Sequence, residues 1–256
     1  MKLFDLTGRT AIVTGSSKGI GRAIAEQMAL AGANVVISSR KIEPCQAVAA
    51  EIVRTGGKAV AIACHIGDEG QLKNLVAKTR EAFGKIDILV CNAAINPHYG
   101  AIEEISDEIF DRMMAVNIRS NLTLASLVRP EMAARKDGAI VIISSIAGLM
   151  GNGMLGAYAI TKAADMQLAR NLAVAWGKDG IRVNAIAPGL VKTDFAKALW
   201  DNPDTLQHTL RNSPLGRIGD PIDIAGAAIL LASDAGRFIT GTTIVIDGGV
   251  TVTGRV

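Results

Sequence analysis

Seven short runs of β-branched and aliphatic residues, separated by longer segments of helical periodicity, set the architecture of this chain. The runs are Thr10–Val13, Asn34–Ser38, Ala59–Ala63, Asp87–Val90, Ala139–Ser144, Arg182–Ala187 and Thr243–Ile246. Most are apolar without a break rather than alternating apolar and polar, as parallel strands covered on both faces must be. Helical patterns lie between them at Gly19–Ala31, Cys45–Thr55, Glu69–Phe83, Asp107–Arg135, Ala157–Lys178 and Pro221–Ser233, and Gly84 and Gly180 stand where helices should stop. The pattern predicts an α/β fold, a doubly wound parallel sheet of about seven strands with helices on both faces. With no linker, repeat or low-complexity tract, residues 1–256 read as a single domain. One long irregular stretch, Pro188–Pro221, contains a helix around Ala196–Arg211. An insertion of this size suits a substrate lid around residues 190–215.

Charge and cysteine usage exclude several classes. The net charge is +3, from 27 basic and 24 acidic residues, and no basic run or stripe marks a nucleic-acid partner. Cys45, Cys64 and Cys91 form no C-x-x-C, and His65, His98 and His208 are scattered. No disulfide framework or metal site is expected, and buried or half-buried positions are expected for all six. The N-terminal Met-Lys-Leu-Phe-Asp-Leu leaves no room for a signal peptide, no apolar stretch approaches span length, and the tail Thr253-Gly-Arg-Val256 is not a peroxisomal or retention signal. The expectation is a cytoplasmic protein in a reducing compartment, with no membrane partner.

Directly after the first strand comes Thr14-Gly15-Ser16-Ser17-Lys18-Gly19-Ile20-Gly21, and a helix follows at once. Glycines there let the chain turn tightly and bring backbone N–H groups, with the helix's positive end, against a pyrophosphate. Strand-to-helix position within a βαβ unit makes this a dinucleotide-binding signal and the fold Rossmann-like. The second strand ends in Ser38-Ser39-Arg40, without the carboxylate that normally accepts from an NAD ribose. Ser39, Arg40 and Lys18 instead suit a 2′-phosphate, so the expected cofactor is NADP(H).

Tyr158 and Lys162 lie at i and i+4, on one face of a helix. A free phenol titrates near pH ~10, and an adjacent ammonium favours its deprotonation, which suits a general acid/base for carbonyl–alcohol chemistry. Ser145 lies at the carboxyl end of a parallel strand, where ligands of open α/β sheets bind, with Ser144 as its rival. Asn117 interrupts a helical pattern, a poor place for Asn unless its amide has a specific hydrogen-bonding task.

The G-x-x-x-G-x-G spacing, Asn92-Ala93-Ala94, Asn117, Ser145, the Tyr158/Lys162 pair and Pro188-Gly189 together resemble the short-chain dehydrogenase/reductase superfamily over essentially the whole chain. That resemblance implies Tyr158 as general acid/base and Ser145 as the group orienting the substrate oxygen. It implies Lys162 as holder of the nicotinamide ribose and Asn117 as anchor of a proton-relay water. The implied cofactor contacts are Gly15, Ser17, Lys18, Gly19, Ile20, Gly21, Ser39, Arg40, His65, Ile66, Asn92, Ala93, Tyr158, Lys162, Pro188, Gly189, Val191 and Thr193. The chain departs from the family pattern at Cys91 and Ala94, and at His65, which replaces an adenine-side Asp. These departures, with Ser38-Ser39-Arg40-Lys41 and Asn92-Ala93-Ala94-Ile95-Asn96-Pro97, are similar to the NADP-dependent carbonyl and retinal reductases of the peroxisomal-reductase type. A homotetramer is the family's common assembly.

Three segments should build the substrate pocket, offering Tyr99, Leu149, Met150, Met154, Leu155, Phe195, Leu199 and Trp200, an apolar set that favours a hydrophobic ketone or aldehyde. Two other functions share parts of this pattern. A 3-oxoacyl carrier-protein reductase would dock an acidic carrier on basic residues near the cleft; Arg129, Arg135 and Lys136 are available, although Asp179 stands where such reductases tend to carry a basic residue. A non-catalytic NADP-sensing protein would keep the turn, but would have no use for Tyr158 and Lys162 beside Ser145.

Overall fold

The computed structural model describes residues 2–253; Met1 and the last three residues of the tail motif lie outside the described residues. All seven strands form, as β1 (Thr10–Thr14), β2 (Asn34–Ser38), β3 (Lys58–Ala61), β4 (Ile88–Cys91), β5 (Gly138–Ile143), β6 (Ile181–Pro188) and β7 (Thr243–Ile246). They make one parallel sheet in the order β3-β2-β1-β4-β5-β6-β7. The order reverses between β1 and β4. Ligands of such sheets bind in the crevice that this reversal opens at the strands' carboxyl ends.

Period-two geometry sends alternate residues to opposite faces. Ala11, Val13, Ile88, Val90, Val141 and Ile143 enter one core, with helices α1 (Gly19–Leu30), α2 (Ile42–Arg54) and α9 (Pro221–Ala232). Ile12, Leu89, Cys91, Ile140 and Ile142 enter the other, with α3 (Glu69–Phe83), α5 (Ser120–Arg135) and α6 (Gly156–Trp176). The central β1, β4 and β5 are buried at every position, while the edge strands β3 and β7 are not. This is why the apolar runs read as continuous in the middle of the sheet. Gly84 and Gly180 both take left-handed conformations, at φ 78° and 74°, as chain stops require.

Two expected helices are divided, and each division has a local cause. The Asp107–Arg135 pattern splits into α4 (Asp107–Met114) and α5, separated by a π-helical turn over Ala115–Arg119. The widened turn carries Asn117 into the interior, where its amide bonds the backbone of Ile95. The lid helix expected around Ala196–Arg211 is two, α7 (Lys197–Trp200) and α8 (Pro203–Asn212). Asn202 accepts from the N–H groups of Asp204 and Thr205 at 3.0 and 3.1 Å, and Pro203 cannot donate to the preceding turn, so the helix restarts there. His208 is also corrected: it is exposed on α8 beside Asn212, not buried.

Candidate active site

The carboxyl edge of the sheet gathers nearly all the residues singled out above. At the end of β1, the Thr14 hydroxyl donates to Val90 O at 3.3 Å and accepts from the Asn92 and Ala93 N–H groups at 3.0 and 3.1 Å. Asn92 returns the tie through its own amide, which donates to Thr14 O and Gly15 O at 2.9 and 3.2 Å. Asn92 and Ala93 thus buttress the turn from behind. Gly15 and Gly19 lie at φ 65° and 59°, a region that side chains avoid. Ser16, not singled out in advance, is buried and ties the turn to Val13 O and to the Ser38 N–H; Ser17 and Ile20 are half-buried at the surface of the turn. No side chain caps α1 at Lys18. The first-turn N–H groups of Gly19, Ile20 and Gly21 therefore remain for an anion, so the cradle fits a pyrophosphate.

At the far end of this cradle, Arg40 is exposed and, among the described residues, no carboxylate lies within ion-pair distance of it. Ser39 is half-buried, its hydroxyl on Lys41 O and beside the Cys45 thiol. Lys18 is otherwise engaged: its ammonium sits 3.0 Å from Asp194 at the start of the lid. His65 accepts from the Gly67 N–H through Nδ1, which places any ring proton on Nε2, and Ile66 packs on the core beneath α3.

The residues expected at the nicotinamide leave β6 in order. Pro188 closes the strand opposite Ile246, and Gly189 passes so close to Asp247 that an added Cβ would lie 2.8 Å from its Cα. Val191 is buried in the core and bridges Gly219 through its backbone. Thr193 packs its methyl group toward Gly19 and accepts the Trp200 indole N–H at 2.8 Å.

The Tyr158–Lys162 cluster lies where β5 meets α6. Ser144 is spent on structure, its hydroxyl donating to Lys162 O at 2.7 Å, which leaves Ser145 as the hydroxyl beside the Tyr158 phenol. Lys162 is almost fully buried; its ammonium donates to Ile143 O at 2.9 Å, lies 2.9 Å from Asp165 and stands 5.6 Å from the Tyr158 ring centre. Asn117 bonds Ile95 through both ends of its amide and reaches the Thr161 hydroxyl at 3.1 Å. Its carbonyl accepts from Asn121, whose amide also reaches Asp165.

Two of these residues, Asp165 and Asn121, escaped the sequence reading. Their signal was the spacing: Asp165 is i+3 from Lys162 and Asn121 is i+4 from Asn117, each on the face already chosen. The expected pull of Lys162 on the phenol is present, but it does not decide the direction. Burial pushes the half-buried Tyr158 phenol above its ordinary range; Lys162 pulls it down, Asp165 pushes it up and Ser145 pulls it down. Lys162 is held above its usual range: burial opposes its charge, but Asp165 and Tyr158 outweigh that.

The apolar side chains expected around substrate are exposed or half-buried. Tyr99, Leu149, Met150, Met154 and Phe195 are exposed; Leu155, Leu199 and Trp200 are half-buried. Phe195 comes within 6.1 Å, centre to centre, of the Tyr158 ring. Arg129, Arg135 and Lys136 do not belong here. Asp87, Lys136 and Asp179 lie one or two residues before β4, β5 and β6, so this group sits at the opposite edge of the sheet. There Arg129 and Lys136 hold Asp179 at 2.9 and 3.3 Å, and Arg135 holds Asp87 and Glu131. Two shallow grooves, beside Phe4 and Leu30 and beside Val60 and Lys78, contain none of the expected residues. Among the described residues, no group of three or more His, Cys, Asp or Glu is arranged to hold a metal, and no helix is long and apolar enough to cross a membrane.

Comparison with known proteins gives one consistent result. Residues 15–251 match the family model described as enoyl-(acyl carrier protein) reductase. "Dehydrogenase/reductase SDR family member 4" of Caenorhabditis elegans is 42% identical over 248 residues, covering 95% of each chain. A gluconate 5-dehydrogenase from Burkholderia cenocepacia, solved with NADP and tartrate, is 32% identical with a TM-score of 0.94 and covers 98% of both chains. A 7α-hydroxysteroid dehydrogenase, solved with NADH and 7-oxo glycochenodeoxycholic acid, is 38% identical with a TM-score of 0.93, covering 97% of this chain and 96% of that one.

Proposed function

The chain belongs to the short-chain dehydrogenase/reductase superfamily, an oxidoreductase acting on CH–OH groups, and from that premise we propose an NADP(H)-dependent carbonyl reductase of hydrophobic ketones or aldehydes. One observation carries the reading: Ser145, Tyr158 and Lys162 converge at the crevice beside the uncapped Gly15–Gly21 cradle. The dinucleotide, when bound, supplies or accepts the hydride. Gly15, Gly19, Ile20 and Gly21 present N–H groups to its pyrophosphate, with Ser17 alongside. His65 and Ile66 flank the adenine, and the backbone from Pro188 to Thr193 holds the nicotinamide end. Ser145 holds the substrate oxygen, and Tyr158 gives it a proton during reduction or takes one during oxidation. Lys162 holds the ribose and keeps a positive charge behind the phenol. Asn117 serves through its backbone carbonyl, whose second lone pair is left after the bond from Asn121, since its side-chain amide is committed to Ile95 and Thr161.

The test is a carbonyl panel assayed with NADPH, spanning aromatic ketones, α-dicarbonyls, retinal, steroids, sugar-derived ketones and β-keto thioesters. Turnover of the apolar members is expected to exceed that of the polyols, because Leu149, Met150, Met154 and Phe195 offer no partner for several hydroxyls. Dominant turnover of a gluconate-type ketone would overturn the substrate class. The carrier-protein reading weakens on a specific point: the basic residues meant to dock a carrier are paired internally at the wrong edge. A wild type that binds NADPH and reduces no member of the panel would favour the sensing role.

Arg40 and Ser39 carry the preference for NADP, and the NADP-bound gluconate dehydrogenase supports it while the NADH-bound steroid dehydrogenase marks the alternative. Arg40→Ala is expected to lower the NADPH-over-NADH ratio of kcat/KM by about tenfold, the worth of a charge-assisted hydrogen bond. Asp194→Asn, which frees Lys18, should raise that ratio, and more so at low salt. Equal use of both coenzymes by the wild type would remove the basis for this assignment.

The lid over residues 190–215, a cytoplasmic location and a homotetramer complete the reading. Support for assembly comes from the half-exposed edge strand β7, since a bare sheet edge is commonly covered by a partner. Light scattering should return the mass of four chains; a monomer would end this part of the proposal.

A further inference from the structure

The Lys162 ammonium has the Tyr158 ring on one side and a fully buried carboxylate on the other. We propose that Asp165, held in place by Asn121, is the positioning counter-ion of Lys162, and that it keeps the Tyr158–Lys162 pair fully protonated, and therefore a proton donor to carbonyls, to higher pH. The proposal rests on the oxidoreductase reading above and assigns it a positioning residue outside the Asn117–Ser145–Tyr158–Lys162 set.

The geometry is a two-rung ladder between neighbouring helices. Asn117 meets Thr161 at 3.1 Å, and four residues further along each chain Asn121 meets Asp165 at 3.0 Å. The second amide hydrogen of Asn121 goes to Asn117 O at 2.7 Å. Asp165 therefore has one oxygen on Asn121 and the other on Lys162; burial holds its carboxyl above the ordinary range, while the Lys162 ammonium and the Asn121 amide pull it back toward the ionised form. Asp165 is 0% exposed, so solvent does not screen its charge. Two of the three ammonium donors are fixed, by Asp165 and by Ile143 O on β5, which leaves one for a ligand. The carboxylate thus sets the direction of the ammonium as well as its charge.

The consequence for protons does not depend on which of them leaves first. A negative charge nearby makes every proton of the pair harder to remove, whether from the Tyr158 phenol or from the Lys162 ammonium. The groups facing the pair are few. Cys91 on β4 is a buried thiol pushed far up by burial, so it stays neutral; α5 presents the Asn121 amide and β5 only a carbonyl. Asp165 is accordingly the one fixed charge, among the described residues, acting on both groups. Carbonyl reduction needs the phenol protonated and alcohol oxidation needs it ionised. Asp165 therefore extends the reducing range and moves the oxidising limb to higher pH.

The test compares Asp165→Asn and Asp165→Ser, which remove the charge, with Asp165→Glu, which keeps it. In the neutral variants the alkaline limb of kcat/KM for carbonyl reduction should move to lower pH by about one unit or more, and Asp165→Glu should move it back. A limb that stays in place in the neutral variants overturns the proposal whatever happens to the rate. A second readout needs no turnover. The chain has two tyrosines, so in a Tyr99→Phe background the ultraviolet phenolate absorbance reports Tyr158 alone, and adding Asp165→Asn should shift its titration to lower pH. If the wild type reduces no carbonyl, the functional reading falls while this titration still decides the role of Asp165. Identical titrations, or the failure of both neutral variants to fold, would assign Asp165 to the structure alone and overturn the proposal.

Discussion

Tyr158→Phe is expected to lower kcat/KM for carbonyl reduction by about 10²- to 10⁴-fold, the usual worth of a general acid/base, while NADPH binds within about twofold of wild type. The substitution is clean because the ring's surroundings do not depend on the hydroxyl. The Lys162 ammonium at 5.6 Å and the Phe195 ring at 6.1 Å remain beside the phenyl group, and Thr161 bonds the Tyr158 backbone rather than its side chain. Only the proton and its contact with Ser145 are lost. At about 1.4 kcal/mol for each tenfold, the loss corresponds to about 3–6 kcal/mol of transition-state stabilisation.

The same residue carries a pH signature whose sign follows from its surroundings. Burial first, with Asp165 also contributing, holds the phenol above its ordinary range; Lys162 and Ser145 pull the other way. The donor form therefore persists through neutral pH and is lost only as pH rises through the raised value. Carbonyl reduction should be flat below that limb and fall above it, while alcohol oxidation climbs over the same interval. Stopped-flow rates in both directions across pH check this, and a reduction limb near neutrality would contradict the assignment. If Tyr158→Phe retained more than about a tenth of the wild-type rate, another group would be the acid.

How far the sequence was legible depended on whether a feature is local. The seven strands could be read because burial on both faces demands apolar runs, and the turn at Gly15–Gly21 because positive φ at Gly15 and Gly19 needs glycine. Asn117 announced itself as a poor helix former, and it sits in a π-helical turn that an unbroken helical pattern hides. The break at Asn202-Pro203 was equally local and was overlooked, because a run of polar helix formers on both sides masks a cap followed by proline. What no linear pattern contains is pairing at a distance. Lys18 and Asp194 are 176 residues apart, so a cation assigned to a phosphate had a competitor that only the fold reveals. Asp165 reads in sequence as one more charge on a helix, and its burial beside Lys162 depends on α5 and α6 meeting in one register. The basic group near Arg129 failed for a related reason. Its residues are basic, but strand polarity puts them at the edge away from the chemistry.

Gly21→Ala is expected to weaken NADPH binding by about 100-fold or more and to lower stability by about 1–3 kcal/mol, as forced overpacking does. Unlike Gly15 and Gly19, Gly21 has an ordinary helical backbone, and alanine there would otherwise favour the helix. Space decides against it. A Cβ at Gly21 would lie 2.4 Å from the Asn92 amide nitrogen and 2.5 Å from Gly15 O. Neither neighbour can yield cheaply. Gly15 O is backbone, and the Asn92 amide is bonded to Thr14 O and Gly15 O, ties that hold β4 against the turn. The methyl group must therefore push the first turn of α1 away from the end of β1. That first turn carries the N–H groups proposed to hold the pyrophosphate, so the binding loss should exceed what the stability loss alone would cause. Fluorescence titration with NADPH and a thermal melt separate the two effects. The geometry further predicts that Asn92→Ala, which removes the nearer obstacle but also the buttress, recovers little binding when combined with Gly21→Ala. Unimpaired NADPH binding by folded Gly21→Ala would show that the dinucleotide does not rest on this turn, and with it the cofactor assignment of the whole cradle would fall.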